Sequence, residues 1–195
     1  MAFNNDTHLE AKFLQIKEQY GIKSVIETGT FYADTTKWLS DNFDKVYTCE
    51  VNAQYFKIGQ EQLVGRTNVV SCLQDSREFL IEALKQAEGP VLIFLDAHWG
   101  ENPLLREIEI IGESGVNPIV AIHDFKVPGK NFGYDTYPGI VYDWDFIKES
   151  VGKAFDNQYT TEYNEVATGA KRGCIFIYPN AATHAQSLPE GTGSL

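Results

Sequence analysis

The feature of this 195-residue sequence that most constrains its fold is a fivefold alternation of short apolar segments with amphipathic ones. Short runs that are apolar throughout are typical of strands buried on both faces, and helical spacing marks the segments between them. This alternation predicts a parallel sheet covered by helices on both sides. The predicted strands are 23–28, 45–51, 67–73, 89–97 and 117–124.

The predicted helices follow from end signals as well as from periodicity. Thr7 and Glu10 form a capping-box pattern that starts the first helix, and Gly21 can stop it. Asn102 and Pro103 open another helix as N-cap and first residue. The predicted helices between and after these are 34–42, 53–63, 75–87 and 140–155.

The end of the chain departs from the alternation. Residues 156–179 read as two longer strands joined by a glycine-containing turn, so the predicted sheet ends in an antiparallel hairpin. The prediction is therefore an α/β fold with a doubly wound, mostly parallel seven-stranded sheet. It forms a single domain over residues 1–179, followed by a polar C-terminal tail at 180–195.

The charge and composition of the sequence argue against several classes of binding partner. The net charge is −11 and the pI is about 4.8, which argues against nucleic acid or an anionic membrane surface as a partner. No apolar run reaches the roughly 20 residues that span a bilayer, and no signal peptide is evident. Three cysteines without metal-ligand spacing are typical of reduced thiols. We expect a cytoplasmic protein that acts on a small molecule, with a homo-oligomer as an open alternative.

Acidic residues follow every predicted strand of the parallel sheet. In such sheets, ligands bind at the carboxyl ends of the strands, where the strand order reverses. Each acid also has a simpler explanation: Asp75 is a good helix N-cap, Glu50 could be a solvated strand end, and His123 could be a satisfied core histidine. The strand-end acids are Glu27, Glu50, Asp75, Asp96 and Asp124.

The spacing of Gly29 and Glu50, 21 residues apart, is typical of a nucleotide-type site. Glycine allows close backbone approach after the first strand, and the acid after the second accepts hydrogen bonds from ribose hydroxyls. The full glycine-rich pattern is absent, because Phe31 and Ala33 stand where glycines would be expected. A pyrophosphate needs that close approach, so the pattern favours S-adenosylmethionine over NAD.

Four segments resemble a known family. VIETGTFYADTTKWL resembles motif I of the class I S-adenosylmethionine-dependent methyltransferases, and VYTCEVN, LQDSREFL and FLDAHW fall where the family's next motifs fall. The resemblance covers roughly residues 5–178 and implies a Rossmann-like sheet. It implies that Glu27 and Gly29 line the methionine end of the cofactor, that Glu50 binds the ribose, and that Asp75 and Ser76 face the adenine. The cofactor-binding residues it implies are Glu27, Gly29, Glu50, Asp75, Ser76 and Asp96.

A second resemblance concerns a metal. LDAHWGENPLLREIEII followed by PIVAIHDF is similar to the metal-dependent O-methyltransferases related to macrocin O-methyltransferase and the cephalosporin hydroxylase-like group. The positions that hold a divalent cation there match Asp96, His123 and Asp124. A histidine with two carboxylates is better suited to Mn or Fe than to Mg. The cation would act as a Lewis acid on a substrate hydroxyl.

His98 is a fourth ligand or a general base in this interpretation. The predicted catalytic residues are thus His98, His123 and Asp124. Two alternatives stay open for the acids: they only orient substrate, or a protonated His123 pairs with both carboxylates and no metal is needed.

Residues 126–139, rich in Gly, Pro, Tyr and Lys, follow the fifth strand. They read either as a plain loop or as a mobile lid with Tyr134 and Tyr137 as wall residues.

The leading functional prediction is methyl transfer to an oxygen of a small molecule. The alternatives are a non-catalytic protein that binds an adenosyl ligand, and an NAD-linked oxidoreductase.

Overall fold

The computed structural model describes residues 2–97 and 102–180. After a helical turn at Ala2–Asn5, the helices are α1 (Thr7–Tyr20), α2 (Asp34–Asn42), α3 (Ala53–Gln62), α4 (Ser76–Gln86), α5 (Leu104–Glu113) and α6 (Trp144–Ala154). The strands are β1 (Ser24–Thr28), β2 (Lys45–Glu50), β3 (Val69–Leu73), β4 (Val91–Leu95), β5 (Ile119–His123), β6 (Thr136–Tyr137), β7 (Ile140–Val141), β8 (Tyr159–Tyr163) and β9 (Cys174–Pro179). None of these helices is long and apolar enough to cross a membrane.

Seven strands form one sheet in the order β3-β2-β1-β4-β5-β9-β8. Strands β1 to β5 pair in parallel, while β9 pairs antiparallel with both β5 and β8. The predicted mostly parallel sheet with an antiparallel end is therefore confirmed. The strand order reverses between β1 and β4, so the crevice expected to hold a ligand lies beyond the carboxyl ends of these two strands.

The central strands are buried on both faces, which explains why their sequences are apolar throughout. Along β4, Leu92 and Phe94 point into a core with α1 and α2, whereas Ile93 and Leu95 point into a core with α4, α5 and α6. Each of these four side chains is fully buried. Hydrophobic burial on both sides therefore fixes the sheet and, with it, the positions of the polar residues at its carboxyl edge.

The start of α1 differs from the prediction. Asp6, not Thr7, is the N-cap, and its Oδ1 accepts hydrogen bonds from the backbone N–H groups of His8 and Leu9 at 3.0 and 3.2 Å. Thr7 lies inside the helix, and its hydroxyl group is 3.3 Å from that of Thr168. The capping-box prediction was wrong because a long-range contact uses the Thr7 side chain and the preceding aspartate is an equally good cap.

Two other boundaries also differ. The helix predicted over 140–155 begins only at Trp144, because Asp143 caps it and Ile140–Val141 pairs with Thr136–Tyr137 in a small hairpin. The predicted glycine-containing turn of the last two strands is a longer connection, residues 164–173. The predicted polar tail lies outside the described residues except for Asn180.

Candidate functional site

A cavity opens where the strand order reverses. It is lined by residues that follow β1, β2, β3 and β4, together with the residue before α5. The lining residues are Gly29, Cys49, Glu50, Val51, Asp75, Ser76, Ala97 and Pro103. Four of the six predicted cofactor residues therefore lie around one cavity, and the other two, Glu27 and Asp96, lie beside it.

Gly29 lets two strand ends approach each other. Its φ is +91°, and a Cβ there would lie 2.9 Å from the carbonyl oxygen of Asp96 and 3.3 Å from the Cα of Ala97. Real Cβ atoms do not make such contacts with backbone, so only glycine fits without movement. The glycine is needed for the close packing of the β1 and β4 ends at the cavity.

The loop after β1 keeps a glycine-like shape without the glycines. Phe31 and Ala33 have φ values of +46° and +61°, in a region that costs a non-glycine residue of the order of 1 kcal/mol. Glu50 holds this loop, because its Oε2 accepts from the Phe31 N–H and its Oε1 from the Asn52 N–H, both at 2.9 Å. The bond from the Phe31 N–H to this carboxylate helps to offset the strain in the loop, and the bond from Asn52 holds the carboxylate in place.

Glu27 is a buried acid rather than a wall residue of the cavity. It is 1% exposed, and its Oε2 accepts hydrogen bonds from the hydroxyl groups of Thr36 and Thr48. Burial raises the pKa of Glu27 to about 8, against the opposing effect of the two threonines. At neutral pH this carboxyl group is therefore mainly protonated, and its assignment to the methionine end of a cofactor stays a prediction.

Asp75 caps α4, as one of its two sequence interpretations predicted. Its Oδ1 accepts from the Arg77 N–H at 2.9 Å, and the Arg77 guanidinium also contacts both carboxylate oxygens at 2.8 Å. The hydrogen bonds from Arg77 lower the pKa of Asp75. The carboxylate therefore stays charged at the mouth of the cavity.

Substitution of Asp75 separates capping from charge. We expect Asp75→Ala to lower the free energy of unfolding by about 1 kcal/mol, and Asp75→Asn by less than half as much, because asparagine caps nearly as well. The half-buried ion pair with Arg77 adds a part of the loss that Asp75→Ala and Asp75→Asn share, because both remove the charge. Urea unfolding of both variants measures this, and equal losses would contradict the capping account.

Behind Ser76 lies a second buried acid that sequence reasoning missed. Glu107 on α5 is 1% exposed, and its Oε1 has no hydrogen-bond partner among the described residues. Burial raises the pKa of Glu107 to about 7, although hydrogen bonds from Ser76 and Thr28 oppose this. The only sequence signal for a buried Glu107 is its position on the apolar face of an amphipathic helix. The sequence does not show that this face contacts polar residues such as Ser76.

The structure brings Asp96, His123 and Asp124 together at the ends of β4 and β5. Each offers one ligand atom, and these atoms all lie within 4.8 Å of one another. The Nδ1 of His123 is 2.9 Å from Asp96 Oδ1 and 3.4 Å from Asp124 Oδ1. Burial lowers the pKa of His123, but the charges of Asp96 and Asp124 outweigh it and raise that pKa to about 9. His98 lies outside the described residues.

Arg172 is the cationic member of this cluster that sequence reasoning missed. It lies in the connection between β8 and β9, and its guanidinium contacts the carboxylates of Asp124 and Asp135. It follows Asp124 by 48 residues, and no spacing rule links an arginine so far along the chain to a strand-end acid. The antiparallel position of β9 beside β5 brings it there.

Residues 126–139 are tied to the sheet by their backbone. The Asp135 N–H donates to the Asp124 carbonyl at 2.8 Å, and the Tyr142 N–H donates to the Asp135 carbonyl at 3.1 Å. Tyr137 lies beside the cluster with its hydroxyl group 3.3 Å from Asp135 Oδ2, and Tyr134 is 38% exposed. The segment covers the same edge as the acidic cluster, and its opening as a lid stays a prediction.

Comparison with solved structures identifies the fold. The chain is similar to a putative caffeoyl-CoA O-methyltransferase from Staphylococcus aureus (18% identity, TM-score 0.58, 89% of this chain and 84% of that one). It is also similar to an O-methyltransferase from Bacillus cereus in complex with SAH (15% identity, TM-score 0.61, 91% and 84%). A third similar structure is the O-methyltransferase TomG from Streptomyces achromogenes, involved in tomaymycin synthesis and in complex with SAM (13% identity, TM-score 0.63, 88% and 80%).

A scan against protein-family models and a search of curated proteins both gave no match. These three similar proteins are named as O-methyltransferases, two of them in complex with SAH or SAM, and they match most of the chain. At 13–18% identity, the likeness establishes the fold, and the predicted Rossmann-like methyltransferase fold is confirmed.

Proposed function

We propose that this protein transfers a methyl group from S-adenosylmethionine to an oxygen of a small molecule, with a divalent cation at the acceptor site. The observation that carries the proposal is the separation of two polar sites along one sheet edge. A cavity with Gly29, Glu50 and Asp75 follows β1 to β3, and the cluster of Asp96 and Asp124 follows β4 and β5. Gly29 packs directly on the Asp96 backbone, so the two sites adjoin.

When bound, S-adenosylmethionine would supply the methyl group to the acceptor oxygen, and the electron pair of the broken carbon–sulfur bond would stay on sulfur. Glu50 accepts hydrogen bonds from the ribose hydroxyls, and Asp75 and Ser76 face the adenine. Gly29 leaves room for the methionine end near Glu27. His123 and Asp124 would orient the acceptor hydroxyl, and His98 would accept its proton as the general base.

The donor half is tested by binding of S-adenosylhomocysteine. We expect Glu50→Ala to weaken this binding by roughly 1.5–3 kcal/mol, because a buried carboxylate would lose charge-assisted hydrogen bonds to the ligand. Isothermal titration calorimetry measures the change. Glu50 also holds the Phe31 amide, so part of the loss comes from the loosened loop.

A control for loosening of the structure beside Glu50 is Asn52→Ala. The Asn52 side chain caps α3, and its backbone N–H, which the substitution keeps, donates to Glu50. This variant therefore loosens the neighbouring helix while Glu50 and its bond to Phe31 stay. Unchanged affinity of Glu50→Ala would remove Glu50 from the cofactor site.

A thermal-shift screen with S-adenosylhomocysteine and NAD separates methyltransferase from oxidoreductase, because a ligand of the native state raises the melting temperature.

The acceptor half involves a cation that the residues present can hold. Asp96, His123 and Asp124 offer one nitrogen and two carboxylate oxygens within 4.8 Å of one another, and this donor set is compatible with Mn or Fe and less suited to Mg. When bound, the cation would lower the pKa of the acceptor hydroxyl as a Lewis acid. Since the pKa of His123 is raised to about 9, the histidine must lose a proton to serve as a ligand.

Metal binding is tested with Asp96→Asn. We expect this variant to bind Mn²⁺ at least about tenfold more weakly than wild type, because a neutral amide replaces a charged ligand. Protein treated with chelator is titrated with Mn²⁺ and followed by electron paramagnetic resonance. Equally weak binding by wild type and variant would rule out the metal and favour the alternative in which protonated His123 pairs with both carboxylates.

A further inference from the structure

Arg172 lies at the acceptor-side cluster, where the proposed cation would bind. Its Nε donates to Oδ1 of Asp124, and one of its terminal nitrogens donates to Oδ1 of Asp135. That Asp124 oxygen is also the one 3.4 Å from the Nδ1 of His123. A single carboxylate oxygen of Asp124 therefore lies next to both the Arg172 guanidinium and the His123 imidazole.

The position of Arg172 is fixed by the surrounding backbone. Residues 133 and 172 form a parallel β-bridge, with the Gly133 N–H donating to the Lys171 carbonyl at 2.8 Å and the Gly173 N–H donating to the Gly133 carbonyl at 2.9 Å. A Cβ at Gly133 would lie 2.8 Å from a guanidinium nitrogen of Arg172 and 3.1 Å from its Cδ. The arginine side chain thus packs on Gly133, and a side chain at position 133 would have to displace it.

Charges alternate along this part of the molecule. Asp96, His123 and Asp124 are followed by Arg172 and then by Asp135. Arg172 keeps its charge at any physiological pH, so the carboxylate of Asp124 is neutralised from within the chain. A metal ion at Asp124 would meet both a competitor for its ligand oxygen and the repulsion of a nearby guanidinium.

We propose that Arg172 is an internal cation that competes with a divalent metal for Asp124 and so sets the metal affinity of the acceptor site. The proposal rests on the proposed function, since it concerns the same Asp96, His123 and Asp124 ligand set. Asp135 gives the guanidinium a second partner. When a metal takes Asp124, Arg172 keeps its contact with Asp135, which the backbone bond between residues 124 and 135 holds in place.

Two substitutions should therefore change metal affinity in opposite directions. Arg172→Met removes the competing charge and keeps most of the apolar stem, so we expect Mn²⁺ to bind at least about tenfold more tightly than to wild type. Asp135→Asn removes the second partner and leaves Arg172 with Asp124 alone, so we expect Mn²⁺ to bind severalfold more weakly. Both dissociation constants are measured by electron paramagnetic resonance of free Mn²⁺ with full-length, chelator-treated protein.

The matched control is Arg77→Met. Arg77 also contacts one carboxylate with two nitrogens, but that carboxylate is Asp75 at the cavity. We expect this variant to bind Mn²⁺ as wild type does. A change in its affinity would reveal a general effect of removing one positive charge from the protein. Thermal melting of each variant shows whether it is folded. If Arg172→Met does not fold, Arg172→Gln, which also removes the charge but keeps an amide that can donate to a carboxylate, is used with the same expected direction.

The proposal would be overturned if Arg172→Met bound Mn²⁺ no more tightly than wild type. The same holds if Asp135→Asn binds more tightly than wild type. If no variant binds Mn²⁺, the competition and the metal site fail together. Binding of S-adenosylhomocysteine, measured by calorimetry on the same samples, reports separately on the methyl-donor half of the proposed function, which such a result would leave standing.

Discussion

Glu27→Gln is expected to reduce the loss of stability that the wild-type protein shows as the pH rises from about 5 to 8. The ordinary pKa of a glutamate is 4.5, and burial raises that of Glu27 to about 8. Between these values the folded state keeps a proton that the unfolded state releases. The free energy of unfolding then falls by up to about 1.4 kcal/mol per pH unit, which amounts to roughly 4 kcal/mol between the two pKa values.

The sign of this effect follows from the direction of the shift. An acid whose pKa is raised by folding contributes most below the pKa of the unfolded state, and its contribution is lost as the pH rises through the folded value. Glutamine carries no charge at any pH and can still accept hydrogen bonds from Thr36 and Thr48. The variant should therefore be the more stable protein at pH 9.

Urea unfolding at several pH values between 5 and 9 measures the difference. Two groups leave a residual slope in the Glu27→Gln variant: Glu107, whose pKa is raised to about 7, and His123, whose pKa is raised to about 9. The Glu27→Gln/Glu107→Gln variant should be flatter still below pH 7. Glu61→Gln, on an exposed part of α3, is the control and should follow wild type. A Glu27→Gln variant with an unchanged slope would show that Glu27 is ionised in the folded protein.

Gly29→Ala is expected to damage both stability and cofactor binding. Its φ of +91° disfavours any side chain, and the new Cβ would lie 2.9 Å from the Asp96 carbonyl oxygen. Backbone strain and displacement of the β4 end together should lower the free energy of unfolding by about 2–4 kcal/mol. Since Gly29 lines the cavity, we also expect S-adenosylhomocysteine to bind at least about tenfold more weakly, the effect of an ångström-scale displacement at a site.

Gly65→Ala is the matched control, because it introduces a similar backbone strain without a steric clash. Gly65 has a φ of +83°, and a Cβ there meets no atom within 4 Å. We expect this variant to lose only about 1 kcal/mol of stability and to keep its affinity for S-adenosylhomocysteine. Urea unfolding and calorimetry on the pair isolate the cost of the close approach between Gly29 and Asp96. Equal losses for the two variants would show that close approach is unimportant.

The sequence by itself determined the sheet and the edge that carries the site. The short apolar strands can be stable only when both faces are covered, so alternation with amphipathic helices was enough to predict the parallel sheet. The carboxyl ends of parallel strands share one edge, which is why Gly29, Glu50, Asp75, Asp96 and Asp124 could be grouped before any coordinates. Local patterns also located Asp75 as a cap.

Only the tertiary structure decided how these groups are paired. Arg172 reaches Asp124 because β9 lies beside β5, and this pairing of distant segments leaves no local signal in the sequence. The burial that raises the pKa values of Glu27 and Glu107 depends on which helix covers them, and the bonds between Glu50 and the loop at Phe31 depend on two strands coming together. The charge state and the hydrogen-bond partners of a residue depend on the residues that surround it in the folded protein. The sequence pattern specifies only which face of a helix or strand is turned toward the core.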